Sequence, residues 1–156
     1  MIKIGEKLKD FPLQLTSNLQ AKFSDYEGKW LILYFYPRDA TPGCTVEGQN
    51  FRDSYAEIKK LNAEVLGISR DSLKAHEKFK CKEEFPFELI SDTEEEICNY
   101  FDLIKMKNMY GKQVRGIERS TFIFDEKGIL RAEWRKVKIE GHVDEIINTL
   151  KSLEAK

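Results

Sequence analysis

Apolar positions along this chain fall into two periods, and they mark out the elements in order. Trp30 to Tyr36 is an unbroken apolar and aromatic run of strand length that ends at Pro37, which predicts a strand buried on both faces. From Cys44 to about Asn62, Phe51, Tyr55, Ile58 and Leu61 recur at helical spacing. Ala63 to Ser69 predicts a second buried strand, and Ser72 to Glu84 a helix with Ser72 as its N-cap. Phe87 to Ile90 reads as a short strand and Thr93 to Phe101 as a short helix. Ser120 to Phe124 and Ile129 to Val137 flank Asp125-Glu126-Lys127-Gly128, a turn signal that predicts a hairpin. Val143, Ile146, Ile147, Leu150 and Leu153 form one apolar stripe, a last helix packed by that face. The order β-α-β-α-β-α-β-β-α predicts an α/β fold: a three-layer sandwich whose central mixed sheet is flanked by helices and ends in an antiparallel hairpin. A thioredoxin-like fold satisfies that order, as do other three-layer folds.

Composition narrows the class. The 156 residues, without repeat or linker, predict a single domain spanning 1–156. They are 41% apolar and 34% charged, as in a soluble globular protein. Lys and Arg number 26 and Asp and Glu 27, a net charge of −1. No clustered basic excess points to a nucleic acid, and no apolar run has the length of a signal peptide or membrane span. The expectation is a cytoplasmic protein with neither nucleic-acid nor membrane partner, whose three cysteines rest as thiols. Those cysteines, at 44, 81 and 98, form no Cys-x-x-Cys, and His76 and His142 are remote from each other and complete no zinc-ligand spacing with a cysteine. The spacing suggests no metal site and no cofactor.

Thr41-Pro42-Gly43-Cys44 is the stretch with chemistry in it. Thr is a good N-cap and Pro is favoured at the first helical position, so Cys44 falls in the first turn of its helix. Free N–H groups and the positive end of the helix dipole stabilise an anion there. A loop that leaves a buried strand to open a helix is where α/β sheets present reactive groups. A reactive cysteine is the better local reading, with a buried spectator the alternative.

Phe35-Tyr36-Pro37-Arg38-Asp39-Ala40-Thr41-Pro42-Gly43-Cys44-Thr45 resembles the active-site segment of the peroxiredoxins, Pro-x-x-x-Thr-x-x-Cys, and within them the peroxiredoxin Q or bacterioferritin comigratory protein branch. Gly116 to Phe122 resembles the segment that supplies the family's arginine, here Arg119. Phe51-Arg52-Asp53, Ser91-Asp92 and Met109-Tyr110-Gly111-Lys112 match further stretches. The resemblance spans nearly the whole chain and implies a thiol peroxidase on a thioredoxin-like fold. Cys44 would attack a peroxide as thiolate, become a sulfenic acid and release water or an alcohol.

Ionisation alone does not make such an enzyme fast. An ordinary thiol with a pKa near 8.5 is already about 3% ionised at pH 7, so complete ionisation adds only about thirtyfold. The larger share must come from donors aimed at the breaking O–O bond. The resemblance assigns that work to Thr41 and Arg119, with backbone N–H groups of Gly43 and Cys44, Pro37 shielding the sulfur, and Glu47 orienting Arg119. Each has a plain alternative: Thr41 a cap, Arg119 a strand-end cation, Pro37 a strand terminator, Glu47 an acid favoured by the helix dipole.

A sulfenic acid is usually reduced by a second thiol. Many members of this branch carry that cysteine five residues after the first, where this chain has Gln49. Another subset places it in the next helix, as Cys81 is here. Leu73, His76 and Phe79 mark the inner side of that helix, and Cys81 projects about 140° from the centre of that arc, at about 100° per residue. Cys98, beside Ile97, reads as a small hydrophobe at the edge of an apolar face. Resolution by Cys98 or by an external thiol stays open. The resemblance further implies hydrogen peroxide and organic hydroperoxides as substrates, thioredoxin or a similar dithiol as reductant, and a monomer. Two other readings compete: a non-enzymatic redox sensor or holdase oxidised at Cys44, and a glutathione-peroxidase-like enzyme, whose cysteine motif has no counterpart here.

Overall fold

A computed structural model describes residues 1–156. Its strands are β1 (Pro12–Leu15), β2 (Leu19–Lys22), β3 (Trp30–Phe35), β4 (Ala63–Ser69), β5 (Glu88–Ser91), β6 (Ile104–Met109), β7 (Lys112–Ile117), β8 (Ser120–Phe124) and β9 (Leu130–Arg135). Its α-helices are α1 (Pro42–Lys60), α2 (Leu73–Glu83), α3 (Glu96–Tyr100) and α4 (His142–Glu154). Seven strands form one mixed sheet in the order β2-β1-β5-β4-β3-β8-β9, and β6 and β7 form a separate hairpin. At the centre β3, β4 and β5 run parallel, while β8 is antiparallel to β3 and β9 to β8. This is a thioredoxin-like fold, as expected from the order of elements.

Side chains leave a strand alternately to its two faces, and in β3 that alternation builds both halves of the core. Trp30, Ile32 and Tyr34 join Phe51 and Ile58 of α1, Phe79 of α2, and Val143, Ile146 and Leu150 of α4. Leu31, Leu33 and Phe35 face the other way, into a cluster with Leu13, Leu15, Ile97, Phe101, Leu103, Phe122 and Phe124. The sheet therefore divides the molecule into one layer holding α1, α2 and α4 and a second, thinner layer holding α3. Every β3 residue is buried, as expected of a strand covered on both sides.

The predicted boundaries hold for β4, for β8 and for α2, whose Ser72 hydroxyl accepts from Ala75 N–H at 3.2 Å. Other elements are shifted or shorter. α1 begins at Pro42, β5 starts one residue later than the pattern implied, α3 keeps only Glu96–Tyr100, and β9 ends at Arg135. Two hairpins lacked a readable period. β1 has four residues and opens on Pro12, and its partner β2 has no buried residue. β6 and β7 are exposed along most of their length, so no apolar face imposes a period of two. Their connection is legible in hindsight: Tyr110 and Gly111 have φ of 51° and 80°, the left-handed pair of a two-residue hairpin loop. Glu95 anchors this hairpin through Arg115 Nη2 at 2.6 Å and reaches Arg70 Nη1 at 2.9 Å. No helix is long and apolar enough to cross a membrane.

Candidate active site

The chain leaves β3 at Phe35, crosses the carboxyl ends of the parallel strands through residues 36–41, and enters α1 at Pro42. Open α/β sheets place their ligands at this edge. Cys44 is the third residue of α1 and is 2% exposed. Thr45 N–H makes the first bond of the helix, to the Thr41 carbonyl at 2.9 Å. The N–H groups of Gly43 and Cys44 precede it, so they have no carbonyl within the helix to reach.

Thr41 holds the N-cap position with φ −83° and ψ 153°, but its hydroxyl does not cap the helix. It turns back and donates to the Arg38 carbonyl at 2.8 Å, closing the loop on itself. The expectation of a capping side chain is corrected on that point, and the geometry narrows its chemistry. With its proton committed to Arg38, the hydroxyl oxygen is left to accept from an incoming O–H.

Arg119 arrives from the junction of β7 and β8, far along the chain. Its Nη2 lies 3.5 Å from Cys44 Sγ and its Nη1 2.6 Å from Glu47 Oε1. One planar fork thus spans the thiol and the carboxylate, a geometry lysine cannot reproduce. Burial works against its charge, but Glu47 and Cys44 outweigh it and hold the guanidinium above its ordinary value. Gly43 is what lets the fork come so near: a Cβ there would stand 3.3 Å from Arg119 Nη2 and 3.2 Å from Ile139 Cδ1.

Glu47 is 1% exposed, so it is no surface acid serving only the helix dipole. Burial pushes its carboxyl up to about 7, with Arg119 pulling against that shift. Burial prevails because the guanidinium meets only Oε1, while Oε2 is buried without a hydrogen-bond partner. The hydroxyl of Tyr34, beneath the same site, is likewise buried and unpartnered. Pro37 follows the strand directly and is half-buried.

The other two cysteines fall on different sides of the sheet. Cys81 is on α2, in the same layer as α1, and is exposed as its helical position predicted. Cys98 is 0% exposed and packs in the cluster on the opposite face of the sheet from Cys44. It lies deeper than the edge position read from the sequence. Burial pushes the Cys98 thiol far up, and the carboxylate of Asp92, which accepts from Cys98 N–H at 2.8 Å, adds to the shift.

Beside Arg119 an opening of about 530 Å³ is lined by Lys105, Met106, Lys107, Glu118, Lys136 and Val137. A cavity of about 620 Å³ between β1, β2 and β5 contains none of the site residues. Lys107 and Ile139 were not singled out in the sequence. Lys107 donates to the Ile117 carbonyl, and burial and the nearby Arg119 depress its ammonium. Nothing local marks either residue; only the path of β6 and of the segment after β9 brings them to the site. Asp39, Asp71 and His76 gather within 4.8 Å of one another, a set that could ligate a metal by type. Their polar atoms are taken up by one another and by Tyr36, Ser69 and Ile90.

A family model described as AhpC/TSA matches residues 4–133. The chain is 50% identical over 143 residues to Peroxiredoxin Bcp of Xanthomonas campestris, covering 92% of this chain and 89% of that protein. It is 47% identical to Peroxiredoxin Bcp of Bacillus subtilis, covering 99% of both. Among solved structures, a cysteine-to-serine mutant of Xylella fastidiosa PrxQ superposes with a TM-score of 0.94 at 42% identity, covering 100% of this chain and 99% of that one. The Xanthomonas campestris bacterioferritin comigratory protein, studied for alkyl peroxide reduction, superposes with a TM-score of 0.87 at 49% identity, covering 94% and 92%.

Proposed function

The chain belongs to the AhpC/TSA family and is a peroxiredoxin, a thiol peroxidase, and within that activity we propose that Cys44 attacks the peroxide and Cys81 resolves the product. The observation that supports the first half is the Arg119 fork, with one nitrogen 3.5 Å from Cys44 Sγ and the other held by buried Glu47. The Cys44 thiolate attacks the nearer peroxide oxygen, the O–O bond breaks, and the leaving oxygen departs as water or an alcohol once protonated. Thr41 accepts from the peroxide O–H and so orients it. Arg119 and the N–H groups of Gly43 and Cys44 receive the charge that develops on the oxygens. Pro37 and the low exposure of Cys44 keep bulk water from the sulfur, and Glu47 aims the fork.

Cys81 is favoured as the resolving thiol because it shares a layer with Cys44 and is exposed, whereas a seven-stranded sheet separates Cys98 from Cys44. The resulting disulfide would be reopened by thioredoxin or a similar dithiol. With both thiols on one chain, formation of the disulfide needs no second subunit, and the reading is of a monomer working in the cytoplasm. Peptide mapping after one equivalent of peroxide tests the assignment. A Cys44–Cys81 disulfide is expected in the wild type and in Cys98→Ser, and none in Cys81→Ser. A disulfide that survives in Cys81→Ser but vanishes in Cys98→Ser would overturn it.

A further inference from the structure

The helix that carries Cys81 is fastened to the Cys44 segment at both ends. At its C-terminal end, Gln49 Nε2 donates to Glu83 Oε1 at 2.8 Å and Arg52 Nη1 donates to the Glu83 carbonyl at 2.9 Å. Near its start, His76 is 0% exposed, and its Nδ1 lies 2.7 Å from Asp39 Oδ2, on the loop between β3 and α1. The other ring nitrogen, Nε2, lies 2.9 Å from the Ile90 carbonyl oxygen, which can only accept. Nε2 therefore carries a hydrogen. Nδ1 meets the Asp39 carboxylate, so the ring ties α2 to the Cys44 loop through one nitrogen and to β5 through the other. Asp39 is fixed further: Tyr36 Oη donates to its Oδ1 at 2.6 Å, and its own N–H donates to Asp71 Oδ2 at 2.9 Å. The next residue, Ala40, has φ 61°, a left-handed conformation that a non-glycine residue keeps only where its surroundings impose it.

Resolution must undo this arrangement. The Cys81 sulfur attacks the Cys44 sulfenic sulfur; the S–S bond forms, the S–O bond breaks, and the hydroxyl leaves as water with the Cys81 proton. Cys81 sits about 140° around α2 from His76, at about 100° per residue, on the side away from the core. Cys44 is buried, Cys81 is exposed on the side of α2 away from His76, and both are free thiols, so on this reading the loop and the helix both shift before the sulfurs take up disulfide geometry. We propose that the His76–Asp39 pair is the latch joining these two segments, and that it sets how long the sulfenic acid persists before the disulfide forms. His76 is then a positioning residue for the resolving step. The proposal rests on Cys81 as the resolving thiol.

Quenched-flow with thiol alkylation and intact-mass analysis separates the two steps, since oxidation of Cys44 depends on peroxide concentration and disulfide formation does not. His76→Phe keeps the ring volume and removes the latch. The ratio of the disulfide rate to the oxidation rate should rise by about tenfold, the worth of one charge-assisted hydrogen bond of the folded state. Asp39→Asn keeps an acceptor for Nδ1 but loses the charge, and should raise the ratio by less. Both variants should form less sulfinic acid at high peroxide. Ile146→Val, a core change in α4 remote from the latch, should leave the ratio unchanged. An unchanged or lower ratio in His76→Phe, or an equal rise in Ile146→Val, would overturn the proposal. If His76→Phe does not fold, Asp39→Asn decides by the same criterion. Failure of the underlying reading looks different: Cys81→Ser would still form an intramolecular disulfide.

Discussion

Glu47→Gln removes a proton-binding group from beneath the sulfur while keeping the side chain's shape. In the folded protein the Glu47 carboxyl is pushed from an ordinary value of 4.5 up to about 7. Between those values the native state binds more protons than the unfolded chain, so stability falls as pH rises and the full cost is present above pH 7. At 1.36 kcal/mol for each tenfold change in acidity, that cost is about 3 kcal/mol, of which about 2.5 kcal/mol develops between pH 5 and pH 8. Urea unfolding of wild type and variant at both pH values isolates it. The pull of Arg119 on the ionised carboxylate is already contained in the value of about 7, the glutamine does not titrate, and the other titrating groups cancel between the two proteins. The wild type should lose about 2.5 kcal/mol more than the variant on going from pH 5 to pH 8. An equal loss, or a larger loss in the variant, would refute the argument that burial outweighs Arg119 at this carboxyl.

Arg119→Lys keeps the charge but cannot reach Cys44 and Glu47 together, so stopped-flow oxidation of Cys44 should slow by about a hundredfold or more. A rate within a few-fold of wild type would mean that charge alone suffices. Gly48→Ala should cost about 1–3 kcal/mol in urea unfolding, because the added Cβ overlaps the Phe85 ring. That ring stacks on Phe87 at 5.0 Å and has no room to retreat, so a neutral outcome would contradict the packing described. Cys98→Ser places a hydroxyl in an apolar cluster and should lower stability by about 1–3 kcal/mol while leaving peroxide turnover intact.

The elements with a buried face were the legible ones. β3, β4, α2 and α4 announced themselves because burial imposes a period, and Ser72 marked the start of α2. β2, β6 and β7 face solvent along most of their length, and no period survives there. The same division runs through the site. Cys44 could be placed from local chemistry, since Thr41 and Pro42 position it in a first helical turn. Arg119 could not: its approach to Cys44 depends on how β8 pairs with β3, and only the resemblance to a family pointed to it. The Thr41 hydroxyl shows the limit of local rules, because the backbone took the capping geometry while the side chain took a different partner. The sheet that separates Cys98 from Cys44, and the His76–Asp39 contact across 37 positions, are tertiary facts that no spacing encodes.

Peroxide consumption in the presence of a dithiol reductant, compared between wild type and Cys44→Ser, tests the central claim most directly. Cys44 is expected to be the only sulfur held by Arg119, so the variant should show no turnover above the uncatalysed rate while remaining folded by circular dichroism. Turnover in a folded Cys44→Ser variant would contradict the claim, because the attacking atom would then lie elsewhere.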